Sequence, residues 1–366
     1  MKTVVLEAPG RMVMADRSDP GAPGPGEARV RVLRVGVCGT DLHAYRGRQA
    51  FIRYPVVPGH ELAVEVEALG PGTEAAGVRP GDRCVLAPYL FDGICQACRA
   101  GRTNCCTTLT LLGVHVDGGM CDAMVVPASL LLPANDLPVD TLALAEMLAV
   151  GAHAAARARL DERERVLVIG AGPIGLSVLA FARLEAAATY VVDVDERRLA
   201  LAEGAGLARA LRPPSAEDAG VEELVAELRS HLGGDLPEVV IDATGSRASM
   251  ERAPALVAPG GRLVLVGHTP GPLAFANPVL HGKELELVFS RNARRQDFDA
   301  VFAAVRGGRV DPGRWISTRV DPEGFVRSIE GWTLPGADLV KAVIDWPQEP
   351  NAGPGTAGSG DGRGPT

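Results

Sequence analysis

The 366-residue chain has almost no lysine: it occurs only at positions 2, 283 and 341, so the basic charge is nearly all arginine, and the balance is acidic at −8. A net negative chain argues against nucleic acid or an anionic membrane as its main partner. No apolar run approaches the ~18 residues that span a bilayer. No secretory leader is expected either, because Met1–Leu6 reads as a short apolar strand followed by a polar turn. The seven cysteines are an odd number. Without secretory context they read as reduced thiols or metal ligands rather than disulfides. The expected setting is the cytoplasm, with no membrane and no nucleic acid among the partners.

What is present is a globular composition, 46% hydrophobic and 22% charged, in a chain long enough for two domains. Residues 1–35 read as short strands between turns, with Val30–Val35 alternating apolar and arginine in the period of a half-buried strand. The stretch Gly36-Val37-Cys38-Gly39-Thr40-Asp41-Leu42-His43, followed by Pro58-Gly59-His60-Glu61, brings a thiol, an imidazole and carboxylates into one short segment. Cys and His suit zinc, and a catalytic zinc keeps one position open beside three protein ligands. Gly39 and Gly59 would let the backbone turn beside those ligands. On spacing alone the stretch fits either such a site or a buried thiol beside a core histidine. A second cluster holds Asp92, Cys95, Cys98, Cys105 and Cys106. Its C-x-x-C pair fits a closed, structural zinc knuckle, a redox pair or inert loop thiols.

From about Leu142 the pattern changes to an Ala- and Leu-rich helical run through Leu160 that contains Glu146 and His153. The buried-strand pattern of Arg165–Ile169 ends in Gly170-Ala171-Gly172-Pro173-Ile174-Gly175, opens a helix, and is trailed by Asp193, 23 residues after Gly170. This is the dinucleotide fingerprint in its required context. Gly170 makes the turn, Gly172 admits the pyrophosphate, and Gly175 lets helix and strand pack. Free N–H groups at the helix start attract the phosphates, and Pro173 costs little in the first turn. A carboxylate at Asp193 favours NAD over NADP, since it accepts from the ribose hydroxyls and repels a 2′-phosphate. The expected cofactor contacts are Gly170, Gly172, Pro173, Ile174, Gly175, Asp193, Arg198, Thr244, Val266 and Gly267. Further βα alternation predicts a doubly wound parallel sheet over 147–290, flanked by a β-rich unit made of 1–146 and 291–346. The stretch 347–366 reads as a disordered tail.

Taken together, GVCGTD at 36–41, GHE at 59–61, the cysteine cluster at 92–106, GAGPIG at 170–175 and VVDVDERR at 191–198 resemble the zinc-dependent medium-chain alcohol/polyol dehydrogenases along residues 1–346. NCC at 104–106, GVHVDGGM at 113–120 and SRNA at 290–293 are similar to the sorbitol and L-galactonate or L-gulonate dehydrogenase branch. The resemblance implies an α/β protein with a Rossmann domain and a β-rich GroES-like catalytic domain. It implies reversible oxidation of a secondary alcohol of a polyol or sugar acid with NAD, and a homodimer or homotetramer. It places a catalytic zinc on Cys38, His60 and either Glu61 or Glu146, with Asp41 orienting His60. Thr40 would relay the substrate proton, with His43 next. A second, structural zinc would sit on Asp92, Cys95, Cys98 and Cys106, Asp92 standing where a cysteine is usual. Met147 replaces a usual proline, and Arg46 stands where some relatives carry a further histidine. A sugar-acid substrate would need a cation, for which His115, Arg291 and Lys341 are candidates. The alternatives are a cyclitol or aminosugar dehydrogenase, a zinc-free quinone or enoyl reductase, and a non-catalytic NAD-binding protein.

Overall fold

The computed structural model describes residues 1–212, 220–334 and 336–347. The predicted tail, beyond Pro347, lies outside the described residues.

Two sheets carry the fold. The first has seven strands, and its central strand Glu27–Val37 pairs antiparallel with Glu61–Leu69, Ala123–Pro127 and Lys341–Asp345. Its inward valines alternate with Arg29, Arg31 and Arg34, so the period-2 pattern becomes one apolar face and one face of ion pairs with Glu65, Glu67 and Asp140. The register sets Gly36 opposite Glu61, which brings both ends of the cysteine–histidine stretch to one end of the sheet.

The second sheet has six parallel strands in the order Arg209–Leu211, Ala188–Val192, Arg165–Ile169, Val239–Asp242, Arg262–Leu265, Glu286–Phe289. The strands are apolar and buried through the centre, as expected of a parallel sheet covered on both faces. The order reverses between Arg165–Ile169 and Val239–Asp242, so a crevice opens beyond their carboxyl ends.

The 20-residue helix Val139–Ala158 joins the two sheets. It packs against the strand Glu61–Leu69 on one side and against the helices Pro173–Ala182 and Arg295–Arg306 on the other. A boundary drawn between 146 and 147 therefore falls inside one continuous helix. Met147 is buried and its N–H is available to the helix ladder, so no break occurs where a proline would have interrupted it. This helix is long and apolar enough to cross a membrane, but 78% of its apolar window is buried inside the fold.

Candidate active site and metal centres

Cys38 ends the central strand and caps the short helix Gly39–Tyr45; Asp41, at the third helical position, accepts a hydrogen bond from the Cys38 N–H at 2.9 Å. His60 and Glu61 enter the neighbouring strand after Gly59, whose φ of 98° is open to glycine alone without strain. Gly36 sits across the ladder, and any side chain there would collide with the Glu61 carboxylate. Gly39 needs no such freedom; among the glycines of the stretch, Gly36 and Gly59 are the ones the geometry demands. One ligand atom each from Cys38, His60 and Glu61 lies within 4.8 Å of the others.

The electrostatics of this cluster are unbalanced. Asp41, His60, Glu61 and Glu146 are all buried. Burial raises the Asp41 and Glu146 carboxyls above their ordinary values. Burial alone would lower the His60 imidazole, but the surrounding Cys38, Asp41 and Glu146 outweigh it and raise the group well above the usual histidine value. His60 Nδ1 and Asp41 Oδ1 are buried without a hydrogen-bond partner among the described residues. Asp41 thus acts on His60 through charge and on the helix through its cap, without a hydrogen bond to the ring. A sulfur, a nitrogen and a carboxylate oxygen converging beside an orphaned imidazole nitrogen are a donor set that fits zinc.

Two neighbours escaped the sequence reading. The Lys341 ammonium is 1% exposed, donates to Glu61 Oε2, and reaches the Val37 carbonyl at 2.9 Å. Its charge is spent on Glu61, so Lys341 does not stand free for an acidic substrate as expected. The Tyr89 hydroxyl donates to Glu146 Oε1, both groups being buried. No local pattern signals either contact, since the partners lie 280 and 57 residues apart. Glu146 is outside the group whose donors converge within 4.8 Å.

Thr40 is half-buried and His43 exposed on the same short helix, one turn apart. Burial and then Arg48 hold the His43 imidazole below its ordinary value. Arg46 turns away and donates to Thr333 Oγ1 at 2.7 Å. His115 is exposed, its Nδ1 accepting from the Leu111 N–H at 3.0 Å, and its ring lies 5.8 Å from Phe51. Phe51 in turn stands 6.1 Å from the His268 ring, which follows the second sheet's strand Arg262–Leu265. The Arg291 carbonyl accepts from Asn104 at 3.0 Å; burial first, and then the Arg291 guanidinium, hold the His115 imidazole below its ordinary value.

The second cluster is built differently. Ligand atoms of Asp92, Cys95, Cys98 and Cys106 also meet within 4.8 Å. Asp92 is exposed and already employed: Oδ1 accepts the N–H groups of Ile94 and Cys95 at 2.9 Å each, and Oδ2 accepts the Thr108 hydroxyl at 2.9 Å. These bonds hold its carboxyl well below the usual range. The Cys98 N–H, donating to Cys95 sulfur at 3.5 Å, leads the effects that lower the Cys95 thiol to about 7. Three sulfurs and a carboxylate fit zinc, and Cys105 points to solvent.

At the carboxyl ends of the second sheet lies a cleft of about 560 Å³. Gly170, Gly172, Asp193, Arg198 and Thr244 line it. Pro173, Ile174, Gly175, Val266 and Gly267 do not; Gly175 is instead pressed on the Gly170 carbonyl, where a side chain would not fit. Asp193 accepts the Ala171 N–H at 2.6 Å and the Asp195 N–H at 2.8 Å, which fixes its carboxylate at the glycine turn. Ser246 and Arg252 also line the cleft and were not foreseen. Ser246 caps the helix Arg247–Arg252 by accepting from the Ser249 N–H, and a serine ahead of a helical run was the available signal.

Residues 24–136 match the alcohol dehydrogenase GroES-like domain and residues 173–306 match the zinc-binding dehydrogenase family. The chain belongs to the zinc-type alcohol dehydrogenases, oxidoreductases that act on CH–OH groups, and its fold is a Rossmann domain joined to a GroES-like one. It is 37% identical over 344 residues to L-galactonate-5-dehydrogenase of Escherichia coli K12, covering 94% of this chain and 98% of that one. It is 30% identical over 303 residues to L-idonate 5-dehydrogenase of Vitis vinifera, 81% of each chain. A solved structure of the Escherichia coli CFT073 alcohol dehydrogenase RspB complexed with NADH superposes with a TM-score of 0.85 at 30% identity, covering 94% of this chain and 99% of that one.

Proposed function

We propose that this protein oxidises a secondary alcohol of a polyol or sugar acid to a ketone, reversibly, with NAD. The observation that carries the reading is the convergence of the half-buried Cys38 with the buried His60 and Glu61, set beside the helix that also supports the nucleotide-binding sheet. Zinc held there supplies Lewis-acid chemistry toward an alcohol oxygen, and NAD supplies the hydride acceptor. Cys38 and His60 would hold the metal, with Glu61 or Glu146 completing the set. Lys341 biases Glu61 toward its own ammonium, and Tyr89 steadies Glu146. The Thr40 hydroxyl receives the substrate proton and His43, kept neutral by its surroundings, passes it to solvent. Gly170 and Gly172 admit the pyrophosphate, Asp193 receives the ribose hydroxyls and Arg198 flanks them, with Thr244 on the opposite wall. Asp92, Cys95, Cys98 and Cys106 would hold a second zinc that braces the loop. With Lys341 engaged and the His115 imidazole held below its ordinary value, Arg291 remains the cation available to an acidic substrate, with His115 beside it as a polar contact.

The same reading includes a division into 1–146 with 291–346 and 147–290, a cytoplasmic location, and a homodimer or homotetramer. The unpaired edge strand Glu286–Phe289, with Leu287 and Phe289 exposed, supports self-association. The test is a screen of polyols, aldonates and cyclitols with NAD and with NADP, following absorbance of the reduced cofactor alongside zinc content. Turnover of a polyol or aldonate with NAD by zinc-bearing protein is expected. Turnover of cyclitols alone would move the substrate class. Zinc-free protein that reduces quinones would replace the reading, and silence across the panel would leave a binding protein. Arg291→Ala should raise KM for an aldonate more than for a neutral polyol.

A further inference from the structure

Between the cysteine loop, the helix Val139–Ala158 and the segment that follows the strand Glu286–Phe289 lies a third cavity, of about 240 Å³. Its lining includes five arginines, Arg102, Arg157, Arg159, Arg291 and Arg294, and no carboxylate. None of the zinc donors and none of the nucleotide-cleft residues takes part in it. In a chain of net charge −8, such a cluster of one sign is costly by mutual repulsion unless an anion answers it.

The nearest carboxylates answer only two of the five, Arg159 and Arg294. Glu286 pairs with Arg159. Asp297 is buried and is held by the His153 ring, Nδ1 to Oδ2 2.9 Å, and by the Arg294 N–H at 2.6 Å. Arg157 donates its Nε to the Phe289 carbonyl at 3.2 Å, which leaves its outer N–H groups uncommitted. Among the described residues the guanidiniums of Arg102 and Arg291 make no hydrogen bond or ion pair. Arg294 Nε is buried without a hydrogen-bond partner, 3.7 Å from Asp297. The cavity floor is fixed: Asn104 Nδ2 donates to the Arg291 carbonyl at 3.0 Å and stands 3.2 Å from His153 Nε2. The His153 ring is thereby fixed between Asn104 and the buried Asp297 carboxylate.

We infer that this cavity is an anion site, apart from the metal donors and the nucleotide cleft and sharing Arg291 with the proposed substrate site, that takes a phosphate-class dianion, free or carried on a small sugar. Guanidinium forks bind tetrahedral oxyanions in pairs of parallel hydrogen bonds, and the free guanidiniums of Arg102 and Arg291, with the outer N–H groups of Arg157, come from three segments that a bound dianion would draw together. Seven residues, two helical turns, separate His153 from Glu146 on the same helix, so an anion clamped here would stiffen the element that carries Glu146.

The experiment is calorimetric titration of zinc-loaded, NADH-saturated full-length protein with inorganic phosphate and, in a parallel arm, with ribose 5-phosphate, at chloride-matched ionic strength. Saturating NADH removes the pyrophosphate cleft as a competing site. Saturable binding of one anion per chain is expected, with a raised thermal midpoint and affinity that falls with salt. Tighter binding in the second arm would identify a sugar phosphate as the occupant, and equal binding would identify free phosphate. Arg102→Gln, a change at an exposed loop position, should weaken binding about tenfold or more. Arg157→Gln should do the same from a different element, and Arg209→Gln, on the opposite edge strand of the second sheet, should not. Absence of saturable heat in the wild type would overturn the inference, whether the cavity is closed by a second copy's carboxylates or by nothing. Equal binding by wild type, Arg102→Gln and Arg157→Gln would overturn it as well.

Discussion

The two donor clusters contain similar atoms and treat them in opposite ways. Around Asp92 every carboxylate oxygen is already bonded to the loop's own N–H or hydroxyl groups, at the surface. Around the half-buried Cys38 the acids and the imidazole are buried, and an imidazole nitrogen and a carboxylate oxygen are left without partners among the described residues. A self-satisfied cluster is built to hold a loop, and a metal there completes a shape. A cluster with buried, unanswered polar atoms stores a demand that only a cation meets, and it keeps capacity for chemistry. The same difference explains the neighbours: Lys341 and Tyr89 steady the acids of the buried cluster, whereas the exposed one needs only water.

That contrast breaks or sharpens under substitution. Cys38→Ser should abolish turnover by about three orders of magnitude or more and release one zinc per chain, read by initial rates and metal analysis; a variant that keeps its rate would dissolve the distinction. Lys341→Met should destabilise the metal-free protein by about 3–5 kcal/mol in urea titrations, because it strands a buried carboxylate. Added zinc should recover part of that loss, which no equivalent change at the exposed cluster would show. Tyr89→Phe removes the donor to a buried carboxylate and should cost about 1–3 kcal/mol, with the cobalt-substituted protein's visible spectrum shifting if Glu146 reaches the metal. Asp92→Cys should tighten retention of the second zinc against a chelator and leave kcat unchanged, while Asp92→Ala weakens it. Cys105→Ser, at an exposed thiol, should alter neither zinc content nor rate.

Much of this was legible because it is local. The strand Arg165–Ile169, its glycine turn and Asp193 lie within 29 consecutive residues, and their spacing follows from the geometry of one strand–turn–helix unit. The convergence of Cys38 with His60 is also short-range, since two paired strands carry them. What escaped is long-range. Lys341 reads as an isolated charge until a strand from the chain's far end is laid beside Val37. Tyr89 meets Glu146 only once the helix Val139–Ala158 packs on the first sheet. The three arginine-bearing segments around the third cavity share no periodicity, so their like charge becomes visible only in three dimensions. Val266 and Gly267, expected as cofactor contacts, fall outside the lining of the cleft, and Gly267 packs on the Gly245 turn.

The central claim is that the buried cluster, and not the cysteine loop, holds the zinc on which activity depends. Its most direct test is X-ray absorption at the zinc edge on a Cys95→Ser/Cys98→Ser protein, with metal content measured on the same sample. The account predicts one zinc per chain with a single sulfur at about 2.3 Å among nitrogen and oxygen neighbours. A protein that retains no zinc, or whose zinc is bound by two or more sulfurs, would contradict it.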